Sequence, residues 1–243
     1  MARFFVDTDT FHSEQPVLTG DNAAHAKVLR LRVGEEILLC DGAGMECSCN
    51  VLKMTGNEVY LTPIERRPAL SEAEIRASVY IAFPKGDKLE HVIQKATELG
   101  AYEIVVFPSS RCISKPDSKS IGKKLDRWQK IAAAAAEQSG RGRIPGVIAL
   151  DSFSEALKRA GEADKALLFY ENEHATTLRM ALETGAYKTI SLLTGPEGGL
   201  EYSEVEQARA AGFQICTLGR RILRCETAPL CALSAVMYAA GEF

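Results

Sequence analysis

Thr189-Ile190-Ser191-Leu192-Leu193-Thr194-Gly195-Pro196-Glu197-Gly198-Gly199 is an apolar run that ends in a glycine-rich turn. A short run of this kind, bounded by turn residues, reads as a buried strand. About one helix later a second run, Gln214–Leu218, leads into Gly219-Arg220-Arg221-Ile222-Leu223-Arg224-Cys225-Glu226-Thr227-Ala228. The two segments put bare backbone and charged groups at the ends of neighbouring strands. In an α/β sheet, strand ends are where ligands bind.

The alternation extends upstream from there. Val79–Phe83, Ile104–Phe107 and Ala166–Tyr170 read as further short buried strands with helices between them. Asp87 is placed to cap a helix with the stripe Leu89, Val92, Ile93, Ala96 and Leu99, stopped by Gly100. Lys124–Gln138 reads as a longer helix with an alanine-rich centre. Ser203 with Glu206 reads as a capping box for a helix ending at Gly212, and Thr227 as the cap of a last helix that tolerates Pro229 in its first turn.

The first 65 or so residues differ, with strand candidates Glu36–Cys40, Met45–Lys53 and Glu58–Ile64 separated by turn residues. Asp21 is placed to cap a short helix reaching about Leu31, which would let His25 and Arg32 share one stripe. Arg66–Glu74 reads as a linker. The expected organisation is a small β domain over 1–67 and an α/β domain over 75–243.

Composition is that of an ordinary globular protein, 46% hydrophobic and 25% charged. Seven cysteines without framework spacing suggest reduced thiols in a cytoplasmic protein. Cys47 and Cys49 alternate with polar residues as one apolar strand face should, and no metal set is expected. No apolar run has membrane-spanning length, and residues 1–15 carry charges unlike a signal peptide. The net charge of −3 hides a stretch from Arg111 to Arg143 with nine Lys/Arg against three acids, a surface able to bind phosphate or to be a solvated face.

The familiar phosphate-cradling glycine motifs are missing, and Gly195 to Gly199 does not fit a dinucleotide fingerprint. The loop is either a tight turn or a place where main-chain groups approach an adenine or a small zwitterion. Arg220, Arg221 and Arg224 crowd a helix N-terminus, which favours negative charge. They suggest an anionic partner, or an exposed turn with a Glu226–Arg pair.

The chain resembles the bacterial 16S ribosomal RNA uridine N3-methyltransferases of the SPOUT superfamily over nearly its whole length. The resemblance rests on Arg3-Phe4-Phe5, His25 with Val28-Leu29-Arg30, Asp41-Gly42, Gln94-Lys95-Ala96-Thr97-Glu98-Leu99-Gly100, Ala136-Glu137-Gln138-Ser139-Gly140-Arg141, the Gly-Pro-Glu-Gly-Gly loop, and Leu218-Gly219 through Ala228. Cys225 departs from it, standing where a threonine is usual.

The resemblance implies an α/β fold: a SPOUT-type trefoil-knotted methyltransferase domain behind an N-terminal PUA-like β-barrel. It implies a homodimer that binds S-adenosyl-L-methionine in the knot, acts on 16S rRNA of the small ribosomal subunit, and uses neither metal nor membrane. Its cofactor loops correspond to Thr194, Gly195, Pro196, Glu197, Gly198 and Gly199, and to Leu218, Gly219, Ile222 and Leu223, closed by Arg224 and Ala228. Backbone groups of Gly195, Leu218 and Leu223 would hold adenine and ribose, with apolar contact from Leu193, Ile222 and Leu223. The loop after Ala166–Tyr170 would supply a third wall.

On this reading Arg224 stabilises a uridinate, and Glu197 or Glu226 is base or positioning group. Arg3, His25, Arg30, Arg111, Arg141 and Arg143 are the expected RNA contacts. A knotted ribose 2′-O-methyltransferase and a non-catalytic RNA-binding assembly factor are the alternatives.

Overall fold

A computed structural model describes residues 1–113 and 120–243. Lys115, Asp117 and Lys119 of the cationic stretch lie outside the described residues. The chain forms two compact units, Met1–Glu72 with Ala136–Ile144, and Ala73–Ala135 with Pro145–Phe243.

The first unit contains β1 (Ala2–Phe5), α1 (Thr8–His12), β2 (Val17–Leu18), α2 (Gly20–Val28), β3 (Glu36–Cys40), β4 (Met45–Met54) and β5 (Val59–Pro68). The strands form one mixed sheet in the order β1-β3-β4-β5-β2, with β1 parallel to β3 and the other pairs antiparallel. β4 and β5 shift register twice, between Ser48 and Cys49 and between Val51 and Lys53. Such bulges bend and twist a sheet. The bent face closes over Phe4, Phe11, Leu18, Ile37, Leu39, Cys47, Cys49, Val51, Val59 and Leu61.

Cys47 and Cys49 are thus buried core residues, and burial pushes the Cys49 thiol up to about 12. Glu46, on the other face of β4, is also buried. Arg3 at 3.2 Å and Arg67 at 2.9 Å neutralise it, as a buried carboxylate requires.

Three readings of this half change. β5 runs on through Pro68, where a linker was expected, because after a bulge at Ile64 it stays paired with β4 down to Met45. Thr19, not Asp21, is the N-cap of α2. That helix stops at Val28, because Arg30 takes a left-handed φ of 56°, so the shared stripe of His25 and Arg32 does not form.

The second unit contains β6 (Arg76–Ala82), α3 (Lys88–Glu98), β7 (Glu103–Phe107), α4 (Ile121–Gln138, whose residues from Ala136 group with the first unit), β8 (Gly146–Ala149), α5 (Phe153–Ala160), β9 (Lys165–Phe169), α6 (Leu178–Leu182), β10 (Thr189–Thr194), α7 (Tyr202–Ala210), β11 (Gln214–Cys216) and α8 (Thr227–Ala239). Its six strands are all parallel, in the order β11-β9-β10-β6-β7-β8. Consecutive residues of β6, β7 and β10 are buried on both faces, as a parallel sheet covered by helices demands. α8 packs on β6, β10 and α3, while α5 packs on β6, β7 and β10.

The helix starts also differ in detail. The capping box is Glu201 with Glu204, not Ser203 with Glu206, because Glu201 holds the extended conformation that precedes α7. α8 begins at Thr227 with Glu226 as its N-cap residue, so Thr227 is already helical. Asp87 precedes α3 without a side-chain capping bond.

Candidate functional site

Parallel strands deliver all their carboxyl ends to one edge of the sheet. Five loops meet there, following β6, β7, β9, β10 and β11. The central one is Gly195–Gly199, after β10.

Its glycines are required by close approach. The amide of Gly199 donates to the Pro196 carbonyl at 2.9 Å and so closes the turn. A Cβ on Gly195 would meet Leu200 Cγ at 3.0 Å and the Gly199 carbonyl carbon at 3.1 Å. Gly199 has φ +68° and lies under the Glu171 side chain from the loop after β9. Only glycine takes that combination without strain.

The neighbouring loops grip this turn. Glu197 accepts from Lys88 Nζ at 2.8 Å and from the Lys85 amide at 3.0 Å. Burial alone would raise its pKa, but the Lys88 and Lys85 hydrogen bonds bring it down to about 2. Lys88 also lies 3.6 Å from Glu226 Oε2. Arg111 Nη1 donates to the Gly198 carbonyl at 3.0 Å. Glu204, itself buried, accepts from the Ser110 amide at 2.8 Å, the Ser110 hydroxyl at 3.0 Å and the Glu201 amide at 2.9 Å.

The loop after β11 is built differently. Thr217 braces it through the Thr176 carbonyl at 2.9 Å and the Leu178 amide at 3.2 Å, both from the chain after β9. Thr227 and Ala228 amides both donate to the Arg224 carbonyl at 2.9 Å, turning the chain into α8. The Cys225 thiol donates to Glu226 Oε2 at 3.2 Å. Burial, then this bond, pushes the thiol up to about 12, so it stays protonated and is no nucleophile. A thiol here does the donor work of a hydroxyl.

The open groups of the edge are specific. The main-chain N–H and C=O of Gly195, Leu218 and Leu223 make no hydrogen bond among the described residues, although all three residues are half-buried. Backbone groups in that state are open to a polar partner, water or a ligand. Arg220, Arg221 and Arg224 are exposed and make no side-chain hydrogen bond or ion pair among the described residues. Glu226 faces Lys88, so the Glu226–Arg pair of a plain turn is not formed.

Leu193 and Thr194 are buried in β10, with Thr194 Oγ1 donating to the Tyr80 carbonyl at 3.3 Å. Pro196 is buried, Gly219 has φ +108°, Ile222 is 86% exposed, and Ala228 is in the first turn of α8. In the first unit Arg3 is engaged with Glu46, His25 Nδ1 pairs with Glu137 at 2.9 Å, Arg141 is buried against Glu72 at 2.6 Å, and Arg143 donates to the Ala43 carbonyl. Arg30 is exposed, with no side-chain bond among the described residues.

Sequence reading missed Lys88, Ser110, Glu171 and Glu204. One clue pointed to Lys88. A lysine in the first turn of α3 stands against the helix dipole, the same argument that singled out the arginines before α8.

Comparison with known proteins agrees with this picture. The RNA methyltransferase domain family matches residues 71–237, and the RNA methyltransferase PUA domain family matches residues 18–64. The ribosomal RNA small subunit methyltransferase E of Bacillus subtilis is 39% identical, covering 98% of this chain and 96% of its own length. The protein of the same name from Mycobacterium bovis is 33% identical over 96% of this chain and 90% of its own. A crystal structure of a ribosomal RNA small subunit methyltransferase E from Neisseria gonorrhoeae bound to S-adenosyl methionine is 32% identical, with a TM-score of 0.83 over 98% of this chain and 97% of that one.

Proposed function

The chain belongs to the ribosomal RNA small subunit methyltransferase E family, and from that premise we propose that it methylates N3 of a uridine in 16S ribosomal RNA. It is an S-adenosylmethionine-dependent RNA methyltransferase with a SPOUT-type α/β domain and a PUA domain. The observation that carries the site assignment is the set of free backbone groups on Gly195, Leu218 and Leu223, half-buried beside a glycine turn with no room for side chains. These groups fit an adenosine, whose edges donate and accept and whose bulk needs close backbone approach.

When bound, S-adenosylmethionine supplies a methyl group on a sulfonium. The residues must then handle the pyrimidine. N3 of uridine carries a proton at neutral pH, so the ring must lose it and its negative charge must be held. Arg224, exposed and without a side-chain partner among the described residues, is the group we assign to the uridinate.

Between the two carboxylates, Glu226 is the better proton acceptor. Glu197 is locked by Lys88 and the Lys85 amide, and its pKa near 2 makes it a weak base. Its role is to hold the glycine turn. Glu226 is also shifted down: burial would raise it, but its own backbone amide, the Cys225 thiol and Lys88 outweigh that and keep it ionised at neutral pH. Because N3 is on the Watson–Crick edge, the target base must be unpaired or extruded.

For RNA we assign Arg30 on the first unit and Arg220 and Arg221 on the second, since these cations have no side-chain partner among the described residues. Arg3, Arg111 and Arg141 act primarily inside the protein, on Glu46, Gly198 and Glu72. The active form we infer is a homodimer, supported by exposed Tyr238 and Phe243 at the C-terminal end. Cytoplasmic placement is in keeping with a ribosomal substrate, and no helix among the described residues is long and apolar enough to cross a membrane.

Nucleoside mapping of small-subunit RNA from cells with and without the protein tests the reaction. Loss of one 3-methyluridine is the expected result. Loss of a 2′-O-methyl mark instead overturns the N3 assignment.

A further inference from the structure

We propose that Glu171 binds the ribose hydroxyls of the cofactor, an inference that rests on the glycine loop being the cofactor site. Glu171 lies two residues beyond β9, and β9 is hydrogen-bonded to β10 on one side and β11 on the other. Its loop therefore leaves the sheet between the two loops with free backbone groups. The carboxylate lies on Gly199. A Cβ there would come within 3.0 Å of Glu171 Cδ and 3.2 Å of Oε2. Gly199 thus leaves room for this side chain at the mouth of the site.

Glu171 stands apart from the other carboxylates of this edge. Glu197 and Glu226 face Lys88. Glu204 accepts from Ser110 and Glu201. Glu201 lies 3.9 Å from Arg111. Glu173 accepts the Ala175 and Thr176 amides at 2.7 and 3.1 Å. Glu171 makes no hydrogen bond or ion pair among the described residues and has no cation to hold it.

An ionised carboxylate only accepts hydrogen bonds, through two oxygens side by side. A vicinal diol offers two O–H donors at matching spacing. In nucleotide-binding α/β sheets, an acid placed beyond a neighbouring strand takes the ribose in this way. The same carboxylate repels phosphate, in keeping with a cofactor that carries none.

The test is calorimetric titration of the full chain and its Glu171→Ala and Glu171→Gln variants. The ligands are S-adenosylmethionine, its 2′,3′-dideoxy analogue, and 5′-methylthioadenosine, which keeps the ribose and lacks the amino acid. Glu171→Ala is expected to weaken S-adenosylmethionine and 5′-methylthioadenosine on the order of 10- to 100-fold, the range for hydrogen bonds to a charged group. It is expected to leave the dideoxy analogue unchanged. Glu171→Gln should fall between.

Equal loss for the diol and dideoxy ligands overturns the proposal, as does no loss at all. A loss confined to S-adenosylmethionine means that Glu171 reads the ammonium, and also overturns it. Wild-type chain that binds no S-adenosylmethionine brings down the cofactor reading and this inference with it. Binding by wild type with no effect at Glu171 brings down this inference alone. Unchanged thermal unfolding of the unliganded variants confirms that the side chain is not structural.

Discussion

Lys88 joins the two carboxylates that sequence reading left as rivals, lying 2.8 Å from Glu197 and 3.6 Å from Glu226. Glu197 is the more tightly held. Its folded pKa near 2 lies below the ordinary 4.5, so its contribution to stability is complete above about 4.5 and is lost as pH falls from there towards 2. Glu197→Gln should therefore lower stability at pH 7 and progressively less at pH 4 and 3, measured by urea unfolding. A constant difference between the two proteins across that range would contradict this.

Arg224 is the opposite case, a cation with no side-chain partner among the described residues. Arg224→Ala should leave the Kd for S-adenosylmethionine nearly unchanged and reduce kcat by about 100- to 1000-fold, as removal of one anion-stabilising donor does. Single-turnover methylation and calorimetry on the same samples separate the two. Sequence alone was enough to propose Arg224, because three arginines before a helix are against its electrostatic interest. It could not expose Glu171, whose significance comes from lying on a glycine 28 positions away in the chain.

Strand periodicity was easier to read than helix caps. The observed β3 is the expected Glu36–Cys40, β9 is the expected strand displaced by one residue at each end, and β10 runs one residue further, to Thr194. β8 and α5 were missed, since Gly146–Ala149 is too short to show a period and α5 follows it with only eight residues. The capping box was displaced because Ser203 is an orthodox cap by residue type. Glu201 wins through backbone conformation and through the partner it makes of Glu204. That partner ties the start of α7 to the loop after β7 through Ser110. Glu204→Ala should cost about 1–3 kcal/mol, because the Ser110 and Glu201 amides lose their acceptor in a buried place. Thermal or urea unfolding reads it. Glu204→Gln should recover part of the loss.

At the scale of the whole chain, a net charge of −3 belongs to a protein whose partner is a polyanion. The cations of the 111–143 stretch gave the early hint, yet Arg141 and Arg143 are engaged by Glu72 and Ala43, and Arg127 by Glu90. Arg30, Arg220 and Arg221, which make no side-chain hydrogen bond or ion pair among the described residues, are the cations we propose to meet phosphate. Affinity for a small-subunit RNA fragment should fall steeply from 50 to 200 mM salt, and replacing Arg30 should make that slope shallower by about one unit. Filter binding across a salt series measures both.

The first unit is finished by Ala136–Ile144, where the Gly142 and Arg143 amides donate to Glu72 and the Ile144 amide donates to Gly42. The two amides that donate to Glu72 leave the ribosome 70 and 71 positions after it, about 4 to 14 seconds later at ordinary elongation rates. A nascent chain thus carries its small sheet through several seconds of synthesis with one acidic anchor still waiting for the strand of backbone that will satisfy it. Translation speed through that interval, rather than the order of the genes or the strength of the sheet, sets how long the unit is exposed in its incomplete state.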